Sequence, residues 1–148
     1  MNILMVCLGN ICRSPLAQGI LESKVDANKV FVDSAGTSGW HDGKLADSRS
    51  IDVARTNGLD ITNQRSRKFI QADFDRFDII YAMDKSNYNN ILALARDNND
   101  AQKVKMILNE ISVNNKDVPD PYYGGDNGFV NVYNMLDDAC EIIASKIL

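Results

Sequence analysis

The chain has 148 residues, 45% of them hydrophobic, and a net charge of −4 at neutral pH. That size suits one globular domain, residues 1–148, with a sizeable core, and the acidic balance argues against nucleic-acid binding. No apolar run is long enough for a membrane span, the short first run lacks the basic flank of a secretory leader, and three cysteines are too few for a disulfide scaffold, so a cytoplasmic protein without membrane insertion is expected.

Read in order, the chain alternates strand and helix. Asn2 to Cys7 is an apolar run that reads as a first, buried strand. Pro15 to about Val25 carries helical spacing at Leu16, Ile20 and Leu21. Val30 to Val32 predicts a second strand, running into Asp33-Ser34-Ala35-Gly36. Asp47 to about Asn57 predicts a helix, with Gly58 as its stop. Asp78 to Met83 predicts a third strand, and Asp84 reads as the N-cap of a helix to about Arg96. Asn98 to Asp100 reads as a polar loop, and Val104 to Leu108 as a fourth strand. Phe129, Val132, Tyr133, Leu136, Cys140, Ile143 and Ile147 then recur at helical spacing, which puts Cys140 in the core. The pattern predicts an α/β fold: a parallel sheet with helices on both faces. Ligands of such sheets bind beyond the carboxyl ends of the strands. The Cys7 loop, Ser34, Asp84 and the loop holding Asp120 would therefore gather on one rim.

The loop after the first strand is Cys7-Leu8-Gly9-Asn10-Ile11-Cys12-Arg13-Ser14-Pro15. Pro15 sits where a helix begins, since its missing N–H would be unpaired there anyway. The loop thus feeds the positive end of a helix, where backbone N–H groups converge on an anion. In such a cradle Cys7 is expected to act as a thiolate nucleophile. Arg13 supplies a planar fork that matches two phosphate oxygens. Gly9 permits close backbone approach or a positive φ, Asn10 tolerates a left-handed conformation, and Ser14 can donate its hydroxyl to the Cys7 sulfur. A lone cysteine at a strand end is more often a core residue; the full string argues for a nucleophilic phosphate-binding loop.

This string resembles the signature of the low-molecular-weight protein tyrosine phosphatases. A second resemblance to that family lies at Asp120-Pro121-Tyr122-Tyr123-Gly124, most of the chain away. The resemblance implies a single-domain three-layer sandwich around a four-stranded parallel sheet in order 2-1-3-4. It implies that Cys7 forms a cysteinyl-phosphate intermediate and that Asp120 is the general acid, later the base that activates water. Asp120 stands between Pro119 and Pro121, which restrict its backbone. An acid that must be protonated in the first step predicts best activity below neutral pH. The resemblance also implies that Trp40, Tyr122 and Tyr123 wall the phosphotyrosine slot. Trp40 reads equally well as a partly buried packing residue, and His41 as a solvent-facing loop residue. The resemblance places Ser34 in the hydrogen-bond network that holds the Asn10 region of the loop, and Asp84 beneath or beside the loop, though each could be an ordinary turn or cap residue. Where many members carry a histidine bonded to this network, the chain has Gln64. The resemblance implies that Cys12 can form a reversible disulfide with Cys7; taken alone, Cys12 reads as a small buried residue under the loop.

The expected activity is hydrolysis of phosphotyrosine in a protein, releasing inorganic phosphate, by a monomer that needs no cofactor and no metal. Arginine phosphatases share the loop, but resemble it with threonine at the position of Ile11 and lack the tyrosine pair. Thioredoxin-coupled arsenate reductases need relay cysteines, and none lies between Cys12 and Cys140. A module that only bound phosphate would be expected to have lost Cys7 or Asp120.

Overall fold

The computed structural model describes residues 1–123 and 126–147, with the backbone alone for Tyr123 and Asp126. Four strands, β1 (Asn2–Cys7), β2 (Phe31–Gly36), β3 (Ile79–Ala82) and β4 (Val104–Met106), form one sheet in the order β2-β1-β3-β4. All three pairings are parallel, and Cys7 lies in register with Gly36.

β1 is central, and Ile3, Leu4, Met5 and Val6 are fully buried. Successive side chains of a strand point to opposite faces. Ile3, Met5 and Cys7 accordingly join one core, with α1 (Arg13–Glu22) and α6 (Asp126–Ile147). Leu4 and Val6 join the other, with Phe69, Phe74 and Ile91. This is why the first strand reads as an unbroken apolar run rather than an alternating one. Each buried side chain of this kind contributes about 1.5–3 kcal/mol of transfer free energy.

Helix α2 (Ser48–Thr56) packs on the α1 and α6 side, and α4 (Lys85–Leu92) covers β3 and β4. The predicted stripe of α6 is buried from Phe129 to Ile143, and Cys140 is fully enclosed. α2 is capped by Asp47 and is followed by Gly58 at φ +82°, as expected.

Four features differ from the sequence expectation. The helix after Asp84 ends at Leu92, and the loop expected at Asn98–Asp100 is a short helix, α5 (Asn98–Gln102). Asp97 caps α5 through the Asp100 N–H, while Arg96 binds both Asp100 and Asp75. These ion pairs tie the segment between α4 and α5 to α3 and have no signature in apolar spacing. A four-residue helix, α3 (Asp73–Arg76), went unpredicted, and its Asp73 is fully buried beneath Arg67. β4 stops at Met106, where the chain tightens into a 3-10 turn over Ile107–Glu110.

Burial pushes the thiols of Cys12 and Cys140 up to about 12 from an ordinary 9.0. A thiol kept protonated by the fold contributes stability in full below pH 9, and loses it as pH climbs towards 12. The melting temperature is therefore expected to fall progressively above pH 9, and less steeply in Cys140→Ala. A flat profile from pH 8 to 11 would contradict this.

No helix among the described residues is long and apolar enough to cross a membrane.

Candidate active site

The loop between β1 and α1 folds as a cradle because other elements dictate its path. Asn10 takes the positive φ, at 55°, that sequence reading allowed to either Gly9 or Asn10. Asparagine pays little for this conformation, and its side chain is fully used. Its Nδ2 donates to Ser14 Oγ at 2.7 Å and to Ser34 Oγ at 3.0 Å, while its Oδ1 accepts from the Arg67 N–H at 3.0 Å. Ser34 passes the chain on to Gln18 Oε1 at 2.7 Å. Ser66 Oγ holds the Gly9 carbonyl at 3.0 Å.

Gly36 props the loop from the end of β2. A Cβ on Gly36 would stand 2.7 Å from the Leu8 carbonyl oxygen and 3.1 Å from the Asn10 nitrogen. Gly36→Ala should therefore displace the loop, destabilise the fold by about 1–3 kcal/mol and weaken phosphate binding more than about 10-fold. Urea unfolding and phosphate titration check both; unchanged phosphate affinity would mean that the loop does not lean on Gly36.

The cradle opens onto the N-terminus of α1. Cys12 is the N-cap residue and makes no side-chain cap bond, whereas Asp47, Asp84 and Asp97 cap α2, α4 and α5 with their carboxylates. An end without a side-chain cap leaves backbone N–H groups and the positive end of the dipole to an anion.

Cys7 is 2% exposed, and its Sγ lies 3.0 Å from Ser14 Oγ, in hydrogen-bond contact. Arg13 is almost fully buried. Its Nη1 donates to Asp84 Oδ2 at 2.6 Å and to the Val118 carbonyl at 3.0 Å, and its Nη2 lies 3.9 Å from Asp120 Oδ2. Burial works against its charge, but Cys7, Asp84 and Asp120 outweigh it and hold the guanidinium above its ordinary pKa. Asp84 does two tasks, since its other oxygen caps α4 through the Asn87 N–H at 2.7 Å.

Asp120 faces Arg13 across the opening, with Oδ1 accepting from the Tyr122 N–H at 3.0 Å. The result is an open cleft. Cys7, Leu8, Gly9, Ile11, Cys12, Arg13, Trp40, His41, Asp120 and Tyr122 line it. Asn10, Ser14, Ser34 and Asp84 support it from below or behind through the bonds above. Trp40 is 75% exposed and stands on the rim, which removes the reading of a partly buried packing residue. His41 is half-buried against the cleft rather than solvent-facing, and a Cβ on Gly9 would come 3.0 Å from its ring. The side chain of Tyr123 and residue Gly124 lie outside the described residues. Cys7 and Cys12 are both free, buried thiols beside the cleft. Gln64 is buried and donates to the Pro15 carbonyl at 3.1 Å, with its Oε1 unpaired among the described residues.

The chain matches the family model "Low molecular weight phosphotyrosine protein phosphatase" over residues 2–148. It belongs to that family. A low molecular weight phosphotyrosine protein phosphatase of Schizosaccharomyces pombe is 41% identical over 143 residues, covering 93% of this chain and 90% of the relative. The crystal structure of a protein tyrosine phosphatase from Entamoeba histolytica, with Hepes in its active site, superposes at a TM-score of 0.93 and 39% identity, covering 99% of this chain and 96% of that one. A Drosophila arginine phosphatase is also similar, at a TM-score of 0.91 and 31% identity over 99% of this chain and 97% of that one. As a low-molecular-weight phosphatase, the protein has its Cys7 and Arg13 where the family carries its phosphate-binding loop. Sequence reading did not single out Gly36, Arg67 or the Val118 carbonyl as parts of this site. The register of Cys7 with Gly36 across a parallel pair is the signal that could have found Gly36.

Proposed function

We propose that residues 1–148 form one catalytic domain that hydrolyses phosphotyrosine in proteins, with Cys7 as nucleophile and Asp120 as general acid. The observation that carries this reading is the meeting of three groups around one N-terminal helix end. Cys7 Sγ lies beside Ser14 Oγ, the buried Arg13 is held by Asp84, and Asp120 stands opposite on a separate loop.

The Cys7 thiolate attacks phosphorus, and the bond to the tyrosyl oxygen breaks as Asp120 gives that oxygen its proton. Arg13 and the loop amides hold the equatorial oxygens while charge spreads over them. Ser14 steadies the sulfur as nucleophile and as leaving group. In the second half Asp120 takes a proton from water, the oxygen of that water bonds to phosphorus, and the sulfur–phosphorus bond breaks. Inorganic phosphate and the Cys7 thiolate result. Positive charge comes from Arg13 and the helix end, so the reaction calls on no metal or cofactor, and added EDTA leaves the rate unchanged.

Trp40 and Tyr122 flank the opening and give a phenyl ring two aromatic faces; Tyr123 is assigned to the same wall. Ile11, which lines the cleft, and the tyrosine pair favour phosphotyrosine over phosphoarginine. Cys12 guards Cys7 by forming a reversible disulfide with it under oxidation. The protein acts as a monomer in the cytoplasm, on phosphoproteins rather than nucleic acid.

Turnover of phosphotyrosine, phosphoarginine and phosphoserine peptides, wild type beside Cys7→Ser, tests the reading. Phosphotyrosine turnover that disappears in the variant supports it. A preference for phosphoarginine keeps the nucleophile and overturns the reading of Ile11 and the tyrosines.

A further inference from the structure

Helix α2 starts against the phosphate-binding loop. The Asp47 N–H donates to the Ile11 carbonyl at 2.8 Å, and Ser50 Oγ to the Cys12 carbonyl at 3.2 Å. Asp47 also grips Arg49 at two points, Nε to Oδ1 and Nη2 to Oδ2, each at 3.0 Å. The remaining nitrogen, Nη1, donates to the Tyr122 carbonyl at 3.0 Å. The guanidinium carbon lies 4.6 Å from the ring centroid of Phe129, a buried residue of α6, and 5.3 Å from that of Tyr122.

Tyr122 is the residue whose N–H binds the Asp120 carboxylate. Its N–H therefore orients the acid while its carbonyl is held by Arg49. The Asp120 side chain is 41% exposed, and its approach to Arg13, 3.9 Å, is too long for a hydrogen bond. The position of the carboxyl is thus set by the backbone that carries it. We infer that Arg49 is a positioning residue for Asp120, joining the acid-bearing loop to the phosphate-binding loop through Asp47 and the start of α2. The inference rests on Asp120 being the general acid.

Only a rigid fork meets a carboxylate at two points, reaches a carbonyl with a third nitrogen and stacks between two rings. Lysine keeps the charge and loses all of that geometry. The two ways in which Arg49 could matter are therefore separable. A field effect on the cleft survives Arg49→Lys, and a positioning effect does not. Misplacing a reacting group by about 1 Å costs on the order of 100-fold in rate.

The test measures kcat/KM for phenyl phosphate, with a poor leaving group, and p-nitrophenyl phosphate, with a good one, and the inhibition constant of inorganic phosphate. It compares full-length Arg49→Ala, Arg49→Lys, Asp120→Asn and the Arg49→Ala/Asp120→Asn double variant with wild type. Arg49→Ala and Arg49→Lys should each lower kcat/KM about 10- to 100-fold for phenyl phosphate but less than about 3-fold for p-nitrophenyl phosphate. Phosphate inhibition should stay within about 2-fold of wild type, because the cradle is intact. In the Asp120→Asn background, Arg49→Ala should add no further loss that depends on the leaving group. Arg49→Lys carries the test alone if the alanine variant does not fold. Equal losses on both substrates, full activity in Arg49→Lys, or a phosphate inhibition constant raised about 10-fold would each overturn the inference. If Asp120→Asn itself ignores the leaving group, the acid assignment falls first.

Discussion

Cys7→Ser is expected to lower turnover of a phosphotyrosine peptide by at least about 10⁴-fold while leaving phosphate binding in place. The two halves of that result have different causes. A serine hydroxyl is a weak nucleophile at neutral pH unless a base takes its proton, and the group in hydrogen-bond contact with this position is another hydroxyl, Ser14 Oγ. The cradle itself does not depend on the sulfur. Asn10 is fixed by Ser14, Ser34 and Arg67, and Arg13 by Asp84 and the Val118 carbonyl. Thermal melting of the variant with increasing phosphate reads the second half, since saturation at 100 times the dissociation constant adds about 2.7 kcal/mol to the folded state. Near-normal turnover in the variant would remove Cys7 from the mechanism. Loss of both turnover and phosphate stabilisation would show that the sulfur also shapes the cradle.

Asp120→Asn should produce the second large effect, and a selective one. Asparagine matches the carboxylate in shape and can still accept from the Tyr122 N–H, so the loop keeps its course. It cannot hand over a proton as a carboxylic acid does. For leaving groups that need the proton, such as phenol or tyrosine, kcat/KM should fall about 10²- to 10⁴-fold, with a much smaller loss for p-nitrophenol. A series of aryl phosphates of graded leaving-group acidity measures this as a steeper dependence in the variant. Parallel lines for variant and wild type would take Asp120 out of the acid role.

The sheet was legible in the sequence because β1 is buried on both faces, and its apolar run admits little else. The rim followed from topology: parallel strands place their carboxyl ends together, so Cys7, Ser34 and Asp84 meet without any contact having to be foreseen. Asn10 was legible too, as a residue that tolerates the left-handed turn it makes. Less visible was what keeps the loop in shape. Gly36 acts by having no side chain, and only the register across β1 and β2 shows what a Cβ there would strike. Arg67 meets Asn10, and Arg49 the Tyr122 carbonyl, far along the chain, and nothing in local spacing marks either contact. The early end of α4 and the short helix α5 escaped too, because the contact of Arg96 with Asp75 beside them is tertiary. Trp40 was ambiguous in sequence because an aromatic residue in a loop suits packing and recognition alike; its exposure removes the packing reading.

The many ties on Asn10 bear on what the enzyme is able to discriminate. A cradle that already has its final shape spends little ordering energy when an anion arrives, and it grips any tetrahedral dianion that fits. It has no means of telling a valuable substrate from its own product. On the proposed reading, choice is then exercised above the cradle, by Ile11, Trp40 and Tyr122, which line the cleft. Evolution can retune what this protein recognises most freely at Trp40, which is far more exposed than Tyr122, while the ties on the cradle stay as they are.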